Sequence, residues 1–118
     1  MSTPEVKLIT KIIRELSMFL LLHGYEQFSI ETDKEKTLTT LLVKVETLDE
    51  ETKNTMLEKL NREREIEVET YGWQLVGDVD SKSELEIVGL LVDTAEIKEE
   101  NGHHVIEIVR KNPYLKKR

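Results

Sequence analysis

A chain of 118 residues with 38% hydrophobic and 35% charged residues has the composition of a single globular domain. Its formal net charge of −7 repels the phosphate backbone of nucleic acids and the anionic surface of membranes. Because the chain contains no cysteine, disulfides, thiolate metal sites and cysteine nucleophiles are excluded, and we expect a cytoplasmic protein.

The first predicted element is an amphipathic helix over residues 4 to 23, ended by Gly24. Its apolar stripe at spacings of three and four consists of Val6, Ile9, Ile13, Leu16, Leu20 and His23. Three more apolar residues, Ile12, Phe19 and Leu22, widen this stripe. This stripe is wider than one helix-packing contact requires. The sequence is therefore also compatible with a homodimer that buries the remaining apolar surface.

Two alternating runs follow, "QFSIET" and "TLTTLLVKVE", and they predict a β-hairpin across the polar turn "DKEK". A second helix is predicted in "TLDEETKNTMLEKLNRE", where Thr47 and Glu50 have the spacing of a capping box. Residues 64 to 76 fit both a strand and a helix, and their Glu and Arg content favours the helix. Within them Tyr71 and Trp73 are predicted core residues, and Trp73 is our candidate for a partner anchor.

The last helix is predicted in "SKSELEIVGLLVDT", with Ser81 and Glu84 at the capping-box spacing. Asn101-Gly102 between two alternating runs is the strongest hairpin signal in the chain. The predicted fold is therefore α+β, a single-domain two-layer sandwich over residues 1 to 118. It has one mixed or antiparallel sheet of about four strands, with helices on one face.

This order of elements, with a helix ending in "HG" before the first strand, resembles the ATP-binding domain of histidine kinases and its GHKL relatives. Their first helix carries the motif Glu-x-x-x-Asn-Ala-x-Lys-His-Gly, and Glu15, His23 and Gly24 are in register with it. Phe19 replaces the Asn that would hold magnesium, and Leu22 replaces the Lys that would reach phosphate. A phenyl ring offers no oxygen to a cation that requires oxygen ligands.

The two other motifs of that family are also altered. The motif Asp-x-Gly-x-Gly should follow "LLVKV", yet no glycine occurs between Gly24 and Gly72. The third motif, Gly-x-Gly-Leu-x-Ile-Val-x-x-Leu-Val-Glu, is similar to "KSELEIVGLLVD", but Lys82 and Glu84 replace its glycines. A carboxylate in the first helical turn complements the helix dipole where a phosphate would otherwise lie. The resemblance thus implies a histidine-kinase-like scaffold without a working nucleotide site.

The histidines do not indicate a catalytic or metal site. Neighbouring residues on a strand point to opposite faces, so His103 and His104 are predicted to be surface residues of the hairpin and not joint metal ligands. His23 has no nucleophile or carboxylate placed by spacing to work with it, and it suits the negative end of a helix dipole.

We therefore expect a regulatory or adaptor domain that binds a protein partner and is not an enzyme, with no cofactor and no metal. The alternative is a small-ligand binding protein or enzyme that reuses the vacated cleft between the helices and the sheet. Neither nucleic acid nor a membrane is an expected partner, given the net charge.

Overall fold

The structure, a computed structural model, describes residues 3–61 and 84–112. The described helices and strands follow the predicted order, and the α+β class is confirmed. The elements are α1 (Thr3–Leu22), β1 (Phe28–Lys34), β2 (Leu38–Glu46), α2 (Glu50–Leu60), α3 (Glu84–Leu91), β3 (Thr94–Glu100) and β4 (His103–Lys111). The ambiguous segment with Tyr71 and Trp73, and also Ser81 and Lys82, lies outside the described residues.

The four strands form one antiparallel sheet in the order β1-β2-β4-β3. Both predicted hairpins are present, and β2 pairs with β4 at the centre. The turn between β3 and β4 confirms the Asn-Gly signal, because Asn101 and Gly102 both have positive φ angles, of 52° and 80°. These are the backbone conformations that a type I′ hairpin turn requires.

The helices cover one face of the sheet, as the alternation of buried residues along its two central strands requires. On β2 every second residue from Thr39 to Val45 is buried, and on β4 the same holds from His104 to Arg110. The inward aliphatic side chains join those of the helices in one core. Within the described ranges, none of the helices combines the length and apolar character that crossing a membrane requires.

The buried face of α1 is rotated relative to the predicted stripe. Val6 is 48% exposed, while Ile12 and Phe19 are buried. Glu5 is 1% exposed and takes the inward position at the start of the helix, where the predicted stripe has Val6. Ile12 and Phe19 therefore contribute to this chain's own core and do not widen a surface stripe.

Glu5 is paired with Arg110 of β4, which is also 1% exposed. The guanidinium donates two hydrogen bonds to the carboxylate, from Nε to Oε2 at 2.9 Å and from Nη2 to Oε1 at 2.7 Å. Its Nη1 donates to the carbonyl of Leu91, the last residue of α3, at 2.7 Å. One buried cation therefore ties together α1, α3 and β4.

The N-terminus of α2 differs from the predicted capping box. Asp49 is the N-cap, and its Oδ1 accepts a hydrogen bond from the backbone N–H of Thr52 at 2.6 Å. Thr47 instead donates through its hydroxyl to the carbonyl of Gly102 at 2.9 Å. Thr and Asp are both common N-cap residues. Because the Thr47 hydroxyl is hydrogen-bonded to the hairpin turn at Gly102, Asp49 caps the helix.

Candidate functional site

The C-terminus of α1 is closed by a Schellman motif around Gly24, whose φ is 89°. The N–H of Tyr25 donates to the carbonyl of Leu20 at 2.9 Å, and the N–H of Gly24 donates to that of Leu21 at 3.1 Å. These two bonds and the positive φ define the motif. The predicted stop at Gly24 is confirmed, and the last turn of the helix is fixed in place.

His23 and Phe19 form a ring contact at this helix end. Their ring centroids are 4.1 Å apart, with the planes inclined by 35°. The His23 Nδ1 lies 2.9 Å from the Phe19 carbonyl oxygen, and because a carbonyl only accepts, Nδ1 carries the proton and donates. The histidine thus satisfies a carbonyl of the last turn, as expected for its position, and holds its ring over Phe19.

These two rings form one side of a cleft of about 230 Å³. The N-terminal part of α2 forms the other side. We call this cleft the acidic cleft, and the described residues that line it are Phe19, His23, Asp49, Glu51, Thr52 and Thr55. Asp49 and Glu51 are exposed, so two carboxylates stand at the mouth beside the rings.

Asp49 connects the two sides of the acidic cleft. Its backbone N–H donates to the hydroxyl oxygen of Tyr25 at 3.1 Å, and that hydroxyl lies 3.4 Å from Asp49 Oδ2. The hydrogen bond from the Thr52 backbone N–H, followed by one from the Thr52 hydroxyl, lowers the pKa of Asp49 from its ordinary value of 3.8. Tyr25 and the nearby His23 lower it further, although desolvation opposes them. Asp49 is therefore a fixed negative charge at neutral pH.

This lowered pKa predicts a specific effect of pH on folding. A carboxyl group whose pKa is lower in the folded state stabilises the fold above its unfolded pKa and loses that contribution as pH falls through the folded pKa. Asp49→Asn keeps an N-cap acceptor but has no charge to titrate. We expect the difference in unfolding free energy between wild type and Asp49→Asn to have its full value at about pH 5.

Below pH 3.8, the same difference should shrink as Asp49 takes up its proton in the folded state. Urea unfolding of both proteins at a series of pH values measures it. A difference that stays constant to the lowest pH at which the wild type folds would contradict this assignment.

The electrostatics of the acidic cleft are the reverse of those of a phosphate site. Two carboxylates at its mouth repel a polyanion, and the buried Phe19 ring supplies no ligand for magnesium. Among residues 3–61 and 84–112, no group of three or more histidine or carboxylate side chains is arranged to hold a metal ion.

The other residues singled out by the resemblance that the structure describes are not among those lining this cleft. Glu15 is buried on α1, with its Oε2 2.8 Å from Lys11 Nζ. Leu22 is 68% exposed, and Gly24 forms the helix cap. Glu84 is the first described residue of α3 and is partly buried. Of the predicted positions, the structure therefore brings Phe19 and His23 together in the cleft.

The described helices and the sheet share one hydrophobic core. Leu85 and Val88 of α3 pack in the same core as Leu16 of α1 and the inward residues of the sheet. The acidic cleft lies elsewhere, between the end of α1 and the start of α2. A cleft between the helical layer and the sheet stays a prediction.

The two adjacent histidines have different environments. His103 is exposed, as predicted, but His104 is buried. The Nδ1 of His104 accepts a hydrogen bond from the backbone N–H of Leu48 at 2.8 Å. The prediction of a surface residue is wrong for His104, because its inward position on β4 places it beneath the loop that enters α2. The alternation of apolar residues along β4 was the sequence signal that could have predicted the burial of His104.

Comparisons of the chain with protein-family models, with curated proteins and with solved structures find no match.

Proposed function

We propose that this chain is a non-catalytic regulatory or adaptor domain that binds a protein partner, on a histidine-kinase-ATPase-like scaffold without a working nucleotide site. The observation that carries the proposal is the environment of Phe19. Its ring is buried against His23 at the position where the resemblance implies a magnesium ligand. Asp49 and Glu51 line the same cleft and would repel a phosphate there.

The order of the elements supports the scaffold part of the proposal. A helix ending in His-Gly precedes a hairpin, and a helix with the sequence "ELEIVGLL" precedes a second hairpin. In the described residues this order produces one sheet with helices on one face. The chain thus has the elements that the resemblance implies, with other side chains at the ligand positions.

A nucleotide titration tests the proposal. We expect no change in the melting temperature with ATP or ADP in the presence of magnesium, because the acidic cleft repels phosphate. A ligand present at 100 times its dissociation constant adds about 2.7 kcal/mol to the stability, which would raise the melting temperature of a domain this size by several degrees. The ATP-binding domain of an active histidine kinase serves as the positive control, and a shift of that size in this protein would refute the proposal.

The acidic cleft also supports the second candidate, a small-ligand binding protein or enzyme. The cleft has an aromatic side and two carboxylates, a combination that suits a small organic cation. A screen of primary and quaternary amines by thermal shift distinguishes this candidate from the adaptor. Stabilisation by one amine that is lost in Glu51→Gln would favour the small-ligand function.

A further inference from the structure

The last turn of α1 exposes two large apolar side chains. Leu21 is 54% exposed and Leu22 is 68% exposed. In the described part of the chain, the other large hydrophobic side chain this exposed is Val6, at the opposite end of the same helix. Adjacent exposed leucines at one helix end are a candidate for a contact with another molecule.

These leucines are not on a fraying helix end. The Schellman motif satisfies the carbonyls of Leu20 and Leu21, and His23 donates to the carbonyl of Phe19. Tyr25, which completes the motif, is buried. A partner that covers the leucine pair would therefore contact side chains on an ordered backbone, which lowers the entropic cost of binding.

The surroundings of the leucine pair define the charge of the molecule that would cover it. Phe19 and His23, which line the acidic cleft with Asp49 and Glu51, share one side of α1, and at 100° per residue Leu22 flanks that side whereas Leu21 points away from it. Glu26, just after the helix cap, is exposed as well. A second copy of this chain that packed symmetrically on the same surface would place these carboxylates opposite each other. Like charges opposed across an interface are unfavourable, whereas a basic partner is complementary.

We propose that Leu22 and the acidic cleft together form a docking surface for a basic amphipathic segment of a partner protein. An apolar residue of that segment covers Leu22, and an arginine enters the cleft. There its guanidinium meets the carboxylates of Asp49 and Glu51 beside the Phe19 ring, an arrangement that combines ion pairing with cation–π attraction. This inference rests on the proposed adaptor function and assigns it a surface and a partner chemistry.

Two labelled peptides of equal length test the inference, one with Leu at helical spacings of three and four and Arg on the opposite face, the other with Glu in place of Arg. We expect fluorescence anisotropy to show binding of the Arg peptide and not of the Glu peptide. Leu22→Ser should weaken binding at least about tenfold, the effect of losing one well-packed anchor. Glu51→Gln should weaken binding and reduce its dependence on salt.

Val6→Ser is the matched control, because it removes a similarly exposed apolar side chain from the same helix and should leave binding unchanged. Amide NMR shifts on peptide addition should centre on residues 19 to 26 and 49 to 55. Equal binding of both peptides, equal effects of Val6→Ser and Leu22→Ser, or shifts centred elsewhere would overturn the inference. So would light scattering that shows a dimer of the wild type and a monomer of Leu22→Ser, since a second copy would then cover the leucines.

A failure of the peptide-binding test is distinguishable from a failure of the nucleotide titration. If ATP binds, the proposed function is refuted whatever the peptides do. If ATP does not bind and the Arg peptide does not bind either, the docking surface is refuted while the loss of the nucleotide site stands.

Discussion

Glu5→Gln is expected to lower the free energy of unfolding by about 3–5 kcal/mol, the cost of leaving one member of a buried ion pair without its partner. The substitution keeps the size of the side chain, so the loss reflects charge and not a cavity. Arg110 would remain 1% exposed with a neutral amide in place of the carboxylate that accepts two of its hydrogen bonds. Because small domains have total stabilities of about 5–15 kcal/mol, urea unfolding should detect this change easily.

Two further variants separate the contribution of the buried ion pair to stability from that of an exposed ion pair. The double variant Glu5→Leu with Arg110→Met should regain most of the lost stability, because a hydrophobic replacement of a buried ion pair is often neutral or stabilising. Lys53→Gln removes an ion pair to Glu50 that is largely exposed, and it should cost less than about 1 kcal/mol. A loss of that small size in Glu5→Gln would show that Arg110 is solvated, contrary to the structure.

Local sequence signals were sufficient to predict the order of the elements. Asn101-Gly102 and Gly24 each favour a backbone with positive φ, and both positions have it. The alternation of aliphatic residues in β2 correctly predicted its buried face. Signals of this kind act over a few residues, so one sequence is enough to detect them.

Contacts between distant residues could not be predicted in the same way. Glu5 and Arg110 are 105 residues apart, and a charged residue near a terminus is usually solvated. The same limit explains His104, whose acceptor role depends on Leu48 at a separation of 56 residues. It also explains the rotated face of α1, because the inward position of Glu5 follows from a partner that no local pattern indicates.

The candidate site was predicted in part. The resemblance indicated Phe19 and His23, which do line one cleft, but it gave no indication of Asp49 and Glu51. Acidic residues at the start of a helix complement the helix dipole, so the sequence alone does not single them out. Their position opposite His23 depends on a contact between residues 24 apart in the chain, the bond from Asp49 N–H to the Tyr25 hydroxyl.

Close packing of α3 against α2 predicts the second large effect, at Gly89. A Cβ atom at this position would collide with the backbone carbonyl of Lys59. That carbonyl has little freedom to move away, because the next residue but one, Asn61, is hydrogen-bonded through its side chain to both the N–H and the carbonyl of Ala95 on β3. A methyl group therefore cannot be accommodated without separating the two helices.

Gly89→Ala is thus expected to destabilise the protein by about 1–3 kcal/mol, the usual cost of overpacking a core. The sign of this stability change is informative, because helix propensity alone predicts that Gly89→Ala raises the free energy of unfolding by about 1 kcal/mol. Asn54→Ala, at an exposed position of α2, is the control that reports propensity without a clash and should be neutral or slightly stabilising. If Gly89→Ala instead raised the urea midpoint as Asn54→Ala does, α2 and α3 would be further apart than the structure has them. The ion pair between Lys59 and Glu86, 3.2 Å long, would then not bridge them either.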